Sequence, residues 1–159
     1  MNLSMLLFIA RSQLPKVHNL RAIIAIARQN LICVTKIWLS VETPDTAVSS
    51  PGYNIHRPDR KTSRNEGCTI YSTSELRTAP TGNSSLEGIP EAVWVSIEQT
   101  ERQVPAGCYY QPPAPYPAPI ADFYRIISTA HALPHSFTFV LGDFNLLDSS
   151  WPPILGPTR

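Results

Sequence analysis

Phe137-Thr138-Phe139-Val140-Leu141-Gly142-Asp143-Phe144-Asn145 is the stretch that decides how the rest of the chain is read. Phe137–Leu141 predicts an apolar strand, and that strand runs straight into a Gly-Asp-Phe-Asn turn. A strand apolar along its length is one covered on both faces, as in sheets flanked by helices. The turn sets a carboxylate and a carboxamide at the strand's C-terminal end. Seen alone, such a tetrapeptide is usually a turn whose Asp and Asn cap backbone groups.

Working outward, the same grammar recurs upstream. The opening run Leu3–Ala10 is apolar and reads as a buried strand over Leu6–Ala10. It is too short to span a membrane and has no basic residue before it, which makes a signal peptide the weaker reading. Arg11–Leu14 is a polar connection. Pro15 suits the first turn of a helix, and Val17, Leu20, Ile24 and Ala27 fall at helical spacing, which predicts an amphipathic helix over 15–28 with a stop at Asn30. Leu31–Thr35 is again a short, wholly apolar strand. Strand, helix, strand in that order is an α/β unit. Turn formers dominate 40–64, Cys68–Tyr71 is a strand, and 78–90 is a loop. Ala92–Glu98 alternates like a half-exposed strand and pairs with Val104–Tyr110 across a Glu101–Arg102 turn. Pro112–Pro119 holds five prolines and must be extended. Phe123, Ile127 and Ala130 mark a second amphipathic helix ending near Pro134.

Bulk properties set the limits. At 159 residues, with 43% hydrophobic and 16% charged residues, the chain suits one domain with a packed core and does not suit global disorder. The 16 prolines are about twice the usual ~5% and must lie in loops or at strand edges. Net charge is only +1, but residues 1–64 carry a net +6 and the remainder a net −5. The basic part is either a surface that attracts phosphate backbone or a solvated surface with uneven charge. Cys33, Cys68 and Cys108 form no C-x-x-C pair and lie among apolar residues, which predicts buried free thiols in an intracellular chain. His18, His56, His131 and His135 share no metal-ligand spacing and read as structural or surface residues.

Four segments, in order, resemble landmarks of the endonuclease/exonuclease/phosphatase (DNase I-like) domain of non-LTR retrotransposons. They are Arg11-Ser12-Gln13-Leu14-Pro15-Lys16; then Ile32-Cys33-Val34-Thr35-Lys36-Ile37-Trp38-Leu39 with Pro51-Gly52-Tyr53 and Arg57-Pro58-Asp59-Arg60; then Gly107-Cys108-Tyr109-Tyr110-Gln111-Pro112-Pro113; and Leu141-Gly142-Asp143-Phe144-Asn145 with Trp151-Pro152. The resemblance covers residues 5–153 as one domain and leaves 154–159 as a tail. It implies a two-sheet α/β sandwich with outer helices, incomplete at the C-terminus. It further implies a phosphodiesterase ancestor that uses Mg²⁺, DNA as partner, and a reverse transcriptase region in a full-length relative. By the match, Asp143 would activate water, Asn145 would hold that water or a phosphate oxygen, and Tyr110 would bond the phosphate. Arg57 and Arg60 are the candidate nucleic-acid contacts.

The departures from the family fall on its chemistry. Where the resemblance calls for Thr-Glu-Thr-Trp, with the Glu as principal metal ligand, this chain has Thr35-Lys36-Ile37-Trp38. A protonated lysine has no lone pair to offer and repels a cation. Ile9 stands where the family carries an Asn, and Gln111 where it carries an Arg. Of a glycine run only Gly67 is left, behind Asn65 and Glu66. No residue matches the family's last Asp or its Ser-Asp-His element. The resulting expectation is a pseudoenzyme, with a non-catalytic nucleic-acid-binding module as the alternative.

Overall fold

The computed structural model describes residues 2–10, 17–40, 42–58, 65–98, 102–111, 120–134 and 137–145. Its elements, in chain order, are β1 (Met5–Ile9), α1 (Val17–Ala27), β2 (Leu31–Ser40), α2 (Asp45–Val48), β3 (Tyr53–His56) and β4 (Asn65–Thr73), followed by β5 (Thr78–Ala79), α3 (Ser84–Glu87), β6 (Ala92–Glu98), β7 (Gln103–Tyr110), α4 (Ile120–Ala132) and β8 (Phe139–Asp143). They form two four-stranded sheets, β1-β2-β4-β3 and β5-β6-β7-β8. Both are mixed: β1 runs parallel to β2 and β8 parallel to β7, and the remaining pairs are antiparallel. This is the α/β sandwich the sequence implies.

The side-chain alternation of the central strands explains the layers. On β2, Leu31 and Cys33 face the other sheet, while Ile32 and Val34 face outward under α1 with Leu20 and Ile24. Val93, Val95 and Ile97 of β6 meet Leu31, Cys33 and Ile70 between the sheets. Ala92 and Trp94 turn the opposite way, against Leu86 of α3 and Ile126 and Ala130 of α4. A strand buried on both faces has no need of polar residues, and hence Leu31–Val34 reads as a continuous apolar run. Pro105 sits within β7, yet the β8 ladder begins only at Ala106, so its missing N–H costs no β8 pairing. All three cysteines are buried and free. No helix among the described residues is long and apolar enough to cross a membrane.

Several boundaries differ from the sequence reading, each for a visible reason. β1 is an edge strand and therefore only half buried, with Ile9 42% exposed. Helix α1 stops because Arg28 enters the left-handed region at φ 49°. Asn30 instead receives Ser4 N–H and Oγ–H on its side-chain oxygen, tying β1 to the start of β2. β2 continues past Thr35 to Ser40 through a register irregularity. The turn-rich 40–64 segment holds α2 and β3, and the 78–90 loop holds β5 and α3, which Asn83 caps by accepting from Ser85 N and Leu86 N. On α4 the core face is Ile126 and Ala130, and Ile127 is exposed. Residues 11–16, 59–64, 101, 112–119, 135 and 146–159, with the expectations placed on them, lie outside the described residues.

Candidate active site

The site lies where the C-terminal ends of β1, β7 and β8 meet the register irregularity in the middle of β2. Ile9 is opposite Thr35, and Tyr110 is opposite Asp143. In α/β sheets this end of the strands is where loops and functional groups collect. Gly142 makes the arrangement sterically feasible: a Cβ there would collide with the carbonyl of Tyr109 on β7. The close approach seats β8 beside β7 and carries Asp143 to the inter-sheet end. Gln111 N–H donates to the Asp143 carbonyl at 2.9 Å and extends the ladder by one rung.

Lys36 is the centre of the site. It follows Thr35 at the β2 irregularity with φ 57°, a left-handed backbone that few residues other than Gly adopt. Its ammonium lies 2.9 Å from Asp143 Oδ2, with side-chain exposures of 24% and 15%. The same Nζ stands 5.7 Å from the centroid of the Tyr110 ring, within reach of a cation–π attraction. Burial pushes the Tyr110 phenol above its usual range, and the Lys36 charge opposes that rise. Lys36, Asp143 and Tyr110, read separately in the sequence, are thus brought together.

Asn145 is oriented otherwise. Its backbone is left-handed at φ 42°, and its Nδ2 donates to the Gln111 carbonyl at 2.6 Å, which is a turn-capping role. Gln111 is buried and its Oε1 accepts from the Tyr109 hydroxyl at 3.3 Å. Ile9 brings no polar group to the site.

One group escaped the sequence reading. Glu91, just ahead of β6, accepts Gly67 N–H on Oε2 at 3.0 Å, and its carbonyl accepts from Tyr110 N–H and the Cys68 thiol. It bonds the start of β4 to the end of β7 and brings a second carboxylate to this side of the sandwich. Its only sequence signal is a lone Glu ahead of an apolar strand, which does not distinguish it from any surface acid.

Arg57, a candidate nucleic-acid contact, has only 4% of its side chain exposed. Its guanidinium donates to the carbonyls of Thr43 and Ser40 and to Asp45 Oδ1. In this arrangement the side chain holds the 40–45 connection to the end of β3 and does not face solvent as a free cation. Arg60 lies outside the described residues. His56 bonds Ser72 Oγ, while His18 and His131 are exposed.

The donor set does not fit a magnesium ion. Magnesium asks for oxygen ligands in near-octahedral order. The Lys36 ammonium already pairs with Asp143 and the Asn145 amide is turned to Gln111. Among the described residues no group of three or more His, Cys, Asp or Glu is placed to hold a metal.

No family model and no curated protein matches the sequence. Solved structures do match in architecture. The endonuclease domain of TRAS1, a telomere-specific non-LTR retrotransposon, superposes with a TM-score of 0.59 at 12% identity, over 89% of this chain and 58% of that one. A truncated TDP2 of Caenorhabditis elegans gives 0.64 at 12% identity, over 95% of this chain and 66% of that one. A Bacteroides thetaiotaomicron mannosyl-6-phosphatase gives 0.66 at 11% identity, over 91% and 66%. The chain therefore spans less than two thirds of each of these structures.

Proposed function

Because the chain has the DNase I-like endonuclease/exonuclease/phosphatase fold, we propose that it is a retrotransposon-type endonuclease domain without metal-dependent cleavage. The observation that carries this reading is the Lys36–Asp143 ion pair at 2.9 Å. In-line hydrolysis of a phosphodiester asks for a cation that neutralises charge growing on the phosphoryl oxygens and for a carboxylate free to orient water. Here the carboxylate is engaged by the chain's own ammonium, and a single fixed charge does not bridge water and phosphate. Tyr110 keeps its place beside Asp143. Asn145 would have to release the Gln111 carbonyl before it reached a phosphate.

The test is plasmid nicking. Supercoiled DNA incubated with the chain and Mg²⁺ or Mn²⁺ is expected to stay supercoiled, at the level of an Asp143→Ala control. Magnesium-dependent nicking that disappears in Asp143→Ala would refute the reading. DNA as partner, an adjoining reverse transcriptase region and an intracellular setting belong to this proposal. Non-cleaving retention of nucleic acid is the second reading, supported by the net +6 of residues 1–64. It expects salt-sensitive binding to DNA that weakens in Arg60→Ala.

A further inference from the structure

We propose that the Lys36 ammonium is the resident cation of this site, holding Asp143 in place of a divalent ion, and that the carboxylate it covers is a latent metal ligand. The inference rests on the DNase I-like reading of the site and goes further, because it assigns Lys36 a positive role. A lysine that merely replaced an acid would extend its flexible stem into solvent and leave Asp143 open. Here the backbone and two contacts oppose that. The register irregularity between Thr35 and Leu39 and the left-handed φ of Lys36 break the strand's alternation at this residue. Such a backbone persists where its surroundings hold it. The ammonium then meets the carboxylate of one strand and the aromatic face of the next.

Asp143 has its counter-charge without a metal. One carboxylate faces one ammonium, and the quadrupole of the Tyr110 ring adds to the same well. A divalent ion binding Asp143 sits about 2 Å from its oxygen, so it would have to enter against a positive charge only a few ångströms away. Desolvation sharpens the conflict, since both side chains are mostly shielded from water. The same geometry implies the converse. Once the ammonium is removed, Asp143 is left as a shielded anion with no counter-charge among the described residues, and a hydrated cation becomes its natural partner.

Manganese titration of the full chain, followed by electron paramagnetic resonance, tests this without reference to activity. The parent chain is expected to take up no Mn²⁺ at the site. Lys36→Glu is expected to bind it at least about tenfold more tightly than the parent, and Lys36→Gln to fall between the two. A second Asp143→Asn change should abolish either gain. Cooperative urea unfolding of each variant establishes that it is folded, and if Lys36→Glu does not fold, Lys36→Gln decides. Stoichiometric Mn²⁺ in the parent chain that is lost in Asp143→Asn overturns the proposal. So does a folded Lys36→Gln or Lys36→Glu protein that binds no better than the parent. The nicking assay separates the two readings: metal-dependent cleavage by the parent defeats the functional proposal. Absence of both cleavage and any variant's gain in Mn²⁺ defeats only this one.

Discussion

Two cations of this chain invite the same sequence-level guess, and the fold puts them to different uses. Arg57 and Lys36 both lie in the basic first part, both pair with an aspartate at 2.8–2.9 Å, and both end near the same rim of the first sheet. Arg57 disperses its planar fork over two backbone carbonyls and a carboxylate that is itself 57% exposed. Lys36 concentrates a point charge on one shielded carboxylate. A guanidinium suits the first task because its five donors are rigidly spread, and an ammonium suits the second because it is compact. Charge in the sequence therefore says that a cation is present. What it does depends on whether carbonyls or a carboxylate surround it.

The largest expected effect tests the frame that brings Asp143 to Lys36. In Gly142→Ala the new methyl meets the Tyr109 carbonyl, which is backbone and cannot rotate away. β8 must shift from β7 or its pairing must break, at a cost of about 3 kcal/mol. Urea unfolding should show the loss as a lowered midpoint. A change below about 1 kcal/mol would mean that β8 has slack, and the Lys36 contact would then be a loose one.

Arg57→Ala comes next and addresses the other cation. It removes the donor to the half-buried Thr43 carbonyl, the tie to the Ser40 carbonyl and the ion pair with Asp45, which should cost about 2 kcal/mol. Arg57→Lys should recover little, because an ammonium does not reproduce the fork. Asp45→Asn should cost less than about 1 kcal/mol, because that carboxylate is mostly in water. If Arg57→Ala left stability untouched but weakened DNA retention, Arg57 would return to the role its charge first suggests.

The contrast between the two cations also marks where the sequence stops being legible. The apolar runs Leu31–Val34 and Val140–Leu141, the Gly-Asp-Phe-Asn turn and the α/β order are local facts, and they carried the fold. The pairing of Lys36 with Asp143 was half legible: the substitution could be read, but its contact could not. β2 looks finished at Thr35 because a lysine follows an apolar run, yet the strand passes through a bulge to Ser40. The engagement of Arg57 was not legible, because the carbonyls it needs lie 14 to 17 residues earlier and only the tertiary fold brings them near. Glu91 and the turning of Asn145 toward Gln111 share that character, being contacts across elements with no short-range pattern.

A double-mutant cycle quantifies the Lys36 side. Lys36→Met, Asp143→Asn and the pair together should give a coupling of about 1 kcal/mol, at the upper end for a partly exposed ion pair. Zero coupling would place the ammonium in water most of the time. The three thiols offer a parallel check on the core beneath it. Burial raises the pKa of Cys68, contact with Cys108 and burial raise that of Cys33, and at Cys108 the Cys33 contact lowers it but the Cys68 contact and burial outweigh that. All three should resist a thiol reagent at pH 8 and react together in urea. Reaction of one thiol in the native chain would reveal local opening next to the site.

The smallest effect concerns pH and belongs to the Arg57 side. His56, one residue before Arg57, has Nε2 2.9 Å from Ser72 Oγ, and burial lowers its pKa below the ordinary value near 6.5. The unfolded chain therefore takes up a proton in a range where the folded chain resists it. Stability from this group is whole above about pH 6.5 and declines as pH falls through that value toward the folded pKa. The urea midpoint of the parent should drop between pH 7.5 and 5.5, and His56→Gln should flatten that drop. Equal slopes in the two proteins would assign the acid sensitivity elsewhere. A flattened slope would show that mild acid loosens the end of β3, where the guanidinium is anchored.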